Sequence, residues 1–112
     1  MIEIVIKNYL TGVLSVPVYL EIPKSGAPAS YVVVEKTGSG ITNHIRRATF
    51  AIQSIASSMY GAAALNEEVK AAMDNAITRP EIARSQLNSD YNFTDTSKKY
   101  YRYQAVYDLV HY

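Results

Sequence analysis

Apolar and polar residues alternate through Ala48-Thr49-Phe50-Ala51-Ile52-Gln53-Ser54-Ile55, a period of two that predicts a strand with one face on a core. The chain then passes through serines, and Ser57 or Ser58 can cap a helix by accepting an unpaired first-turn N–H. Beyond that cap, Met59, Ala62, Leu65, Val69, Ala72, Met73, Ala76 and Ile77 recur at steps of three and four. Asn66, Glu67, Lys70, Asp74 and Asn75 fall on the opposite side. The spacing predicts one long amphipathic helix whose alanine-rich stripe lets it lie close against a sheet. Pro80 ends the pattern.

The remaining segments read mostly as sheet. Over residues 1–15, Ile2, Ile4 and Ile6 alternate like a strand. Ile2, Val5, Ile6, Tyr9, Leu10, Val13 and Leu14 fit a helical stripe that accounts for more of the sequence, so a helix is expected. Val16, Val18, Leu20 and Ile22 predict a strand with Pro17 near its start and Pro23 at its close. Residues 24–30 read as a turn or short loop, and 31–36 as a central strand. Thr37-Gly38-Ser39-Gly40 reads as a hairpin turn before a third strand that starts near Asn43 or His44. Residues 82–89 make a weak strand, followed by a polar excursion through Asp90, Asn92, Thr94, Asp95 and Ser97. In the final strand Tyr101, Tyr103, Ala105, Tyr107 and Leu109 alternate with Arg102, Gln104, Val106, Asp108 and Val110. Short connections between the first three strands imply an antiparallel meander. The expected fold is a single α+β domain over residues 1–112, in the order α-β-β-β-α-β-β. It is an antiparallel sheet of four to five strands with two helices packed on one face.

Composition changes this picture little. A chain of 112 residues suits one domain, and the lack of cysteine removes disulfides and cysteine-type zinc sites. No apolar run is long enough to span a bilayer, and the N-terminus lacks the order of a signal peptide, so a soluble chain is expected. A net charge of +1, from 11 basic and 10 acidic side chains, gives no field that argues for nucleic acid or membrane. The unusual feature is ten tyrosines with no tryptophan, since tyrosine is over-represented at protein interfaces.

Candidate chemistry is thin. His44 and His111 are the only histidines, and neither accompanies a glycine-framed serine, so no catalytic role is expected. Asp90, Asp95 and Asp108 are the only carboxylate cluster worth weighing for a cation, and polar turn residues explain the first two as well. Gly38-Ser39-Gly40 lacks the spacing and lysine of a phosphate cradle. No enzyme activity, catalytic residue, metal or cofactor is therefore expected. Arg46 and Arg47, with Lys98, Lys99 and Arg102 and the nearby tyrosines, can form a basic aromatic patch across the sheet that would stack single-stranded nucleic acid. The same residue types serve subunit contacts, which is the favoured reading. The expected contact residues are Tyr31, Arg46, Arg47, Arg84, Tyr91, Phe93, Lys98, Tyr100 and Arg102.

Three segments carry a resemblance. They are the N-terminal helix leading into Val16-Pro17-Val18-Tyr19, the strand Arg47-Ala48-Thr49-Phe50-Ala51-Ile52-Gln53-Ser54 passing into an alanine-rich helix, and the closing Tyr101-Arg102-Tyr103-Gln104-Ala105-Val106-Tyr107-Asp108 strand. In this order the chain resembles tail-terminator or tail-completion proteins of long-tailed bacteriophages, of the kind found in prophages of Gram-positive bacteria. The resemblance implies a structural protein without catalysis, forming a ring, commonly hexameric, that caps the tail tube and joins it to the head. The implied partners are copies of itself, the tail tube protein and a head-completion or neck protein, with no membrane, and DNA only as it passes through the ring lumen. It implies a place in the virion tail or neck, after assembly in the host cytoplasm. The alternatives are a small nucleic-acid-binding module and a small enzyme with scattered acidic residues.

Overall fold

A computed structural model describes residues 1–94 and 101–112. In chain order the elements are α1 (Ile2–Val13), β1 (Val18–Tyr19), β2 (Tyr31–Thr42), β3 (Ile45–Ala56), α2 (Met59–Asp74), β4 (Ile82–Asn92) and β5 (Tyr101–His111), with a short 3-10 turn at Ala76–Thr78. The element order matches the expected one. The sheet has five strands in the order β1-β2-β3-β5-β4.

β3 is the spine. It pairs antiparallel with β2 from Ile45 to Ile55 and with β5 from Arg46 to Ala56. Its even-numbered face carries Ala48, Phe50 and Ile52, all buried against α2 together with Ala105, Tyr107 and Leu109 of β5. The Ser58 hydroxyl accepts from the Gly61 N–H at 3.0 Å, which starts α2 where the serine cap was expected. Ala62, Leu65, Val69 and Met73 then bury the stripe. A second, smaller cluster of Tyr31, Val33 and Ile55, with Tyr19 against it, packs on the opposite face. Ala51 and Gln53 are buried too, so this end of β3 is covered on both faces.

Three expectations are corrected. The sheet is mixed: β1 pairs parallel with β2, Val18 beside Val32, and Val32 N–H donates to Pro17 O at 3.0 Å. The strand expected over 16–22 shrinks to two residues because prolines flank it, and residues 20–30 all serve to carry the chain back for a parallel pairing. Second, the helices do not share the sheet. α2 crosses β3, β5 and β4, whereas α1 sits at the β1–β2 edge, sends Ile6 and Leu10 into the core, and meets α2 through the Tyr9 hydroxyl, which donates to Ala72 O at 2.7 Å. Third, the expected turn at 37–40 lies inside β2, where a bulge between Lys36 and Gly38 absorbs the irregularity. The turn is at Asn43 and His44, both with positive φ (51° and 65°), the backbone of a tight two-residue hairpin.

His44 is a poor residue for a left-handed position, which glycine adopts without a Cβ penalty. His44→Gly should therefore raise the unfolding free energy by about 0.5–1 kcal/mol in urea titration. Destabilisation would contradict this account of the turn.

Candidate assembly interface

β3, β5 and β4 place the expected contact residues in two separate groups. At the end nearest the Asn43–His44 turn, Gly40, Arg47, Val110 and Arg84 lie in one row across β2, β3, β5 and β4. Arg47 and Arg84 flank Val110 on the face away from α2 and are both exposed. With Thr49, Gln86 and Asp108 they line a shallow cleft of about 250 Å³. Asp108 does not neutralise them, because its carboxylate accepts from Thr49 Oγ1 and Asn88 Nδ2, both at 2.8 Å. Arg84 donates to Gln86 Oε1, and Arg46 projects from the opposite face beside His111, next to Ile41. Among the described residues none of these three arginines has a carboxylate partner.

The second group is at the far end. Tyr91 and Phe93 meet edge to face with centroids 6.0 Å apart, and the Arg102 guanidinium lies 4.7 Å over the Phe93 ring while its Nε donates to Phe93 O at 3.1 Å. The Gln104 amide donates to the Tyr91 hydroxyl. Such a half-exposed aromatic and guanidinium cluster has the composition that protein contact surfaces favour. Tyr31 lies inside instead, only 4 % exposed and edge-on to Tyr19 at 5.8 Å, so it holds the base of the β2–β3 hairpin. Lys98 and Tyr100, like Lys99 and Asp95, lie outside the described residues.

This placement breaks the single basic aromatic patch expected for stacking nucleic acid. Arg47 is paired across to Val110, and Arg102 is eight positions along β5, roughly 26 Å away at about 3.3 Å per residue. Tyr107 is fully buried under α2. The weighed carboxylate cluster also falls apart: Asp90, opposite Ala105, faces α2, whereas Asp108 points to the other face. No group of metal-ligating side chains occurs among the described residues.

A polar seam that the sequence reading missed joins α2 to β4 and β5. Asn66, expected on the wet side, is 2 % exposed and donates to Asp90 Oδ1 at 3.3 Å. Lys70 Nζ bridges Asp90 at 3.1 Å and Glu67 at 2.9 Å; these hydrogen bonds, Glu67 first, raise its pKa. The Tyr107 hydroxyl reaches Asp74 Oδ1 at 2.9 Å and Lys70 O at 3.1 Å. Asn66, Lys70 and Asp74 stand four apart on one line of α2, a spacing visible in the sequence, but their strand partners were not.

No protein-family model and no curated protein sequence matches the chain. Among solved structures, it is similar to a chain in the virion of a native gene transfer agent particle, with a TM-score of 0.58 and 14 % identity. That match covers 95 % of this chain and 83 % of the other. At this identity the likeness is one of fold.

Burial, and then the Asp74 carboxylate, push the Tyr107 phenol well above its usual range, so it stays a neutral donor. The unfolded phenol ionises near pH ~10, so the contribution of Tyr107 to stability is complete below that pH and is lost as pH rises through the folded value. Tyr107→Phe should cost about 1 kcal/mol at neutral pH and flatten the fall in stability between about pH 10 and 12. Equal alkaline slopes in urea titrations of the two proteins would contradict the assignment.

Proposed function

We propose that this chain is a structural subunit of a phage-like virion, acting as a tail terminator or tail-completion protein that forms a ring on the tail tube and joins it to the head. The observation that carries the reading is the fold likeness to a chain of a virion particle, which covers 95 % of this chain and 83 % of the other. The element order and the three segments that resemble tail-terminator proteins agree with it. Two exposed contact groups at opposite ends of a stiff sheet suit a subunit that must touch different neighbours above and below. In this reading the protein binds no cofactor and catalyses no reaction. Its partners are further copies in a hexameric ring, the tail tube protein and a neck or head-completion protein, and DNA only crosses the lumen. It is assembled in the host cytoplasm and remains in the virion.

Deleting the coding sequence from the genome that carries it, and imaging the induced particles by negative-stain electron microscopy, tests this directly. The expected outcome is filled heads separated from tails, with tubes of irregular length, restored by supplying the protein in trans. Joined particles of normal length would overturn the reading.

A further inference from the structure

The sheet has two open edges among the described residues. β1 pairs only with Val32 and Val33, so β2 has no strand paired on its outer side from residue 35 to residue 42, although α1 lies close by, with Glu3 bonded to Lys36. β4 is paired with β5 alone, and its outer side is open. Such edges are rows of backbone donors and acceptors ready for another strand, and proteins usually cover, charge or break them. These two carry bulges but no proline. Of their few charges, Lys36 is engaged by Glu3 and Asp90 by Lys70.

The two edges match each other. Each of the pairings β2–β3, β3–β5 and β5–β4 is antiparallel, so β4 runs opposite to β2. A second copy added edge-on therefore continues the antiparallel alternation. The open part of β2 also lies level with the first part of β4: the row that starts at Gly40 ends at Arg84, and the row of Ile41 ends at Ile82. β1 blocks the rest of β2, so an incoming strand can engage only its open segment.

A second observation points to a neighbour there. Gly38 and Gly40 sit within that segment, and neither has the positive φ that favours glycine. A Cβ on either would meet nothing within 4 Å. Gly38 sits at the bulge, which accounts for it, but nothing in the chain itself requires glycine at Gly40, and glycine inside a strand often marks the close approach of another backbone or ligand. Gly40 shares the face of Arg84, so the long Arg84 side chain of a copy placed edge-on would lie over it. On the other face Ile41, 69 % exposed, stands level with the neighbour's Ile82.

We propose that residues 82–89 of β4 in one copy pair antiparallel with residues 35–42 of β2 in the next, so that one sheet continues from subunit to subunit. The contact joins two different surfaces, so repeated copies close into a ring where the rotation permits. Bulges at Lys36/Gly38, Ile82/Arg84 and Leu87/Ser89 add local twist along both edges. The proposal rests on the ring reading above and names the surface through which its copies join.

Sedimentation equilibrium on the wild type and on Gly40→Lys and Gly40→Glu, each with and without Arg84→Glu, tests it. The wild type should associate beyond a dimer with rising concentration. Gly40→Lys should weaken each contact by about twofold to fivefold and Gly40→Glu should strengthen it by a similar factor, with both signs inverted on the Arg84→Glu background. Thermal melts of dilute protein should show each variant folded, since either side chain has open space in the free subunit. Hydrogen exchange should slow at residues 35–42 and 82–89 on association. A wild type that stays monomeric, a dimer as the end point, or equal responses to Lys and Glu would overturn the proposal. A monomer that particles nonetheless incorporate would remove this interface and leave the virion reading standing, because the deletion experiment tests that reading separately.

Discussion

Phe50 of β3 and Tyr107 of β5 are direct cross-strand partners, both with no exposed surface, and α2 lies over them. This pair fixes the register of two central strands, because a slip of one residue in either would turn its ring out of the core. The Tyr107 hydroxyl then ties α2 down at Asp74 and Lys70. Replacing a buried ring of this size with alanine typically costs about 3–5 kcal/mol. Everything outside this centre depends on its register, including the row that sets Arg47 and Arg84 on either side of Val110.

The same register explains how a nearly neutral chain presents two distinct groups of exposed side chains, one toward each end of the sheet. β5 is long enough to hold Val110 between two uncompensated arginines at one end and Arg102 over Phe93 at the other. A sheet bonded along its length transmits load between those ends with little bending. The polar seam of Asn66, Lys70 and Asp90 adds a second attachment of α2 to the edge strand β4, which holds that edge in place. A well-held edge strand lowers the conformational cost of pairing with another strand.

Much of the centre was legible in the sequence. The alternation around Phe50, the Ser58 cap, the stripe from Ala62 to Met73 and the alternation of β5 each express a local period. What was hidden depends on non-local partners. Gly38 and Gly40 carry the usual mark of a turn, while the true turn uses Asn43 and His44, whose left-handed backbone is imposed by the pairing of the strands they join. The parallel pairing of β1 follows from the path of residues 20–30, which no periodicity describes. Asn66 reads as a solvated helix residue until Asp90 of β4 is brought against it. Tyr31 reads as an interface residue by type but is taken by the cluster with Tyr19, Val33 and Ile55. The exposure of Arg46, Arg47 and Arg84 is what arginines on strands suggest, yet their separation from Arg102 required the register.

We propose that this chain builds a virion ring by extending one sheet through its copies. Cryo-electron microscopy of particles that carry the protein tests it most directly. The account predicts a closed ring at the end of the tail tube in which β4 of each subunit lies beside residues 35–42 of the next, with Arg84 over Gly40. A ring whose subunits meet through their helices, with both strand edges facing solvent, would contradict it, as would particles that lack the chain.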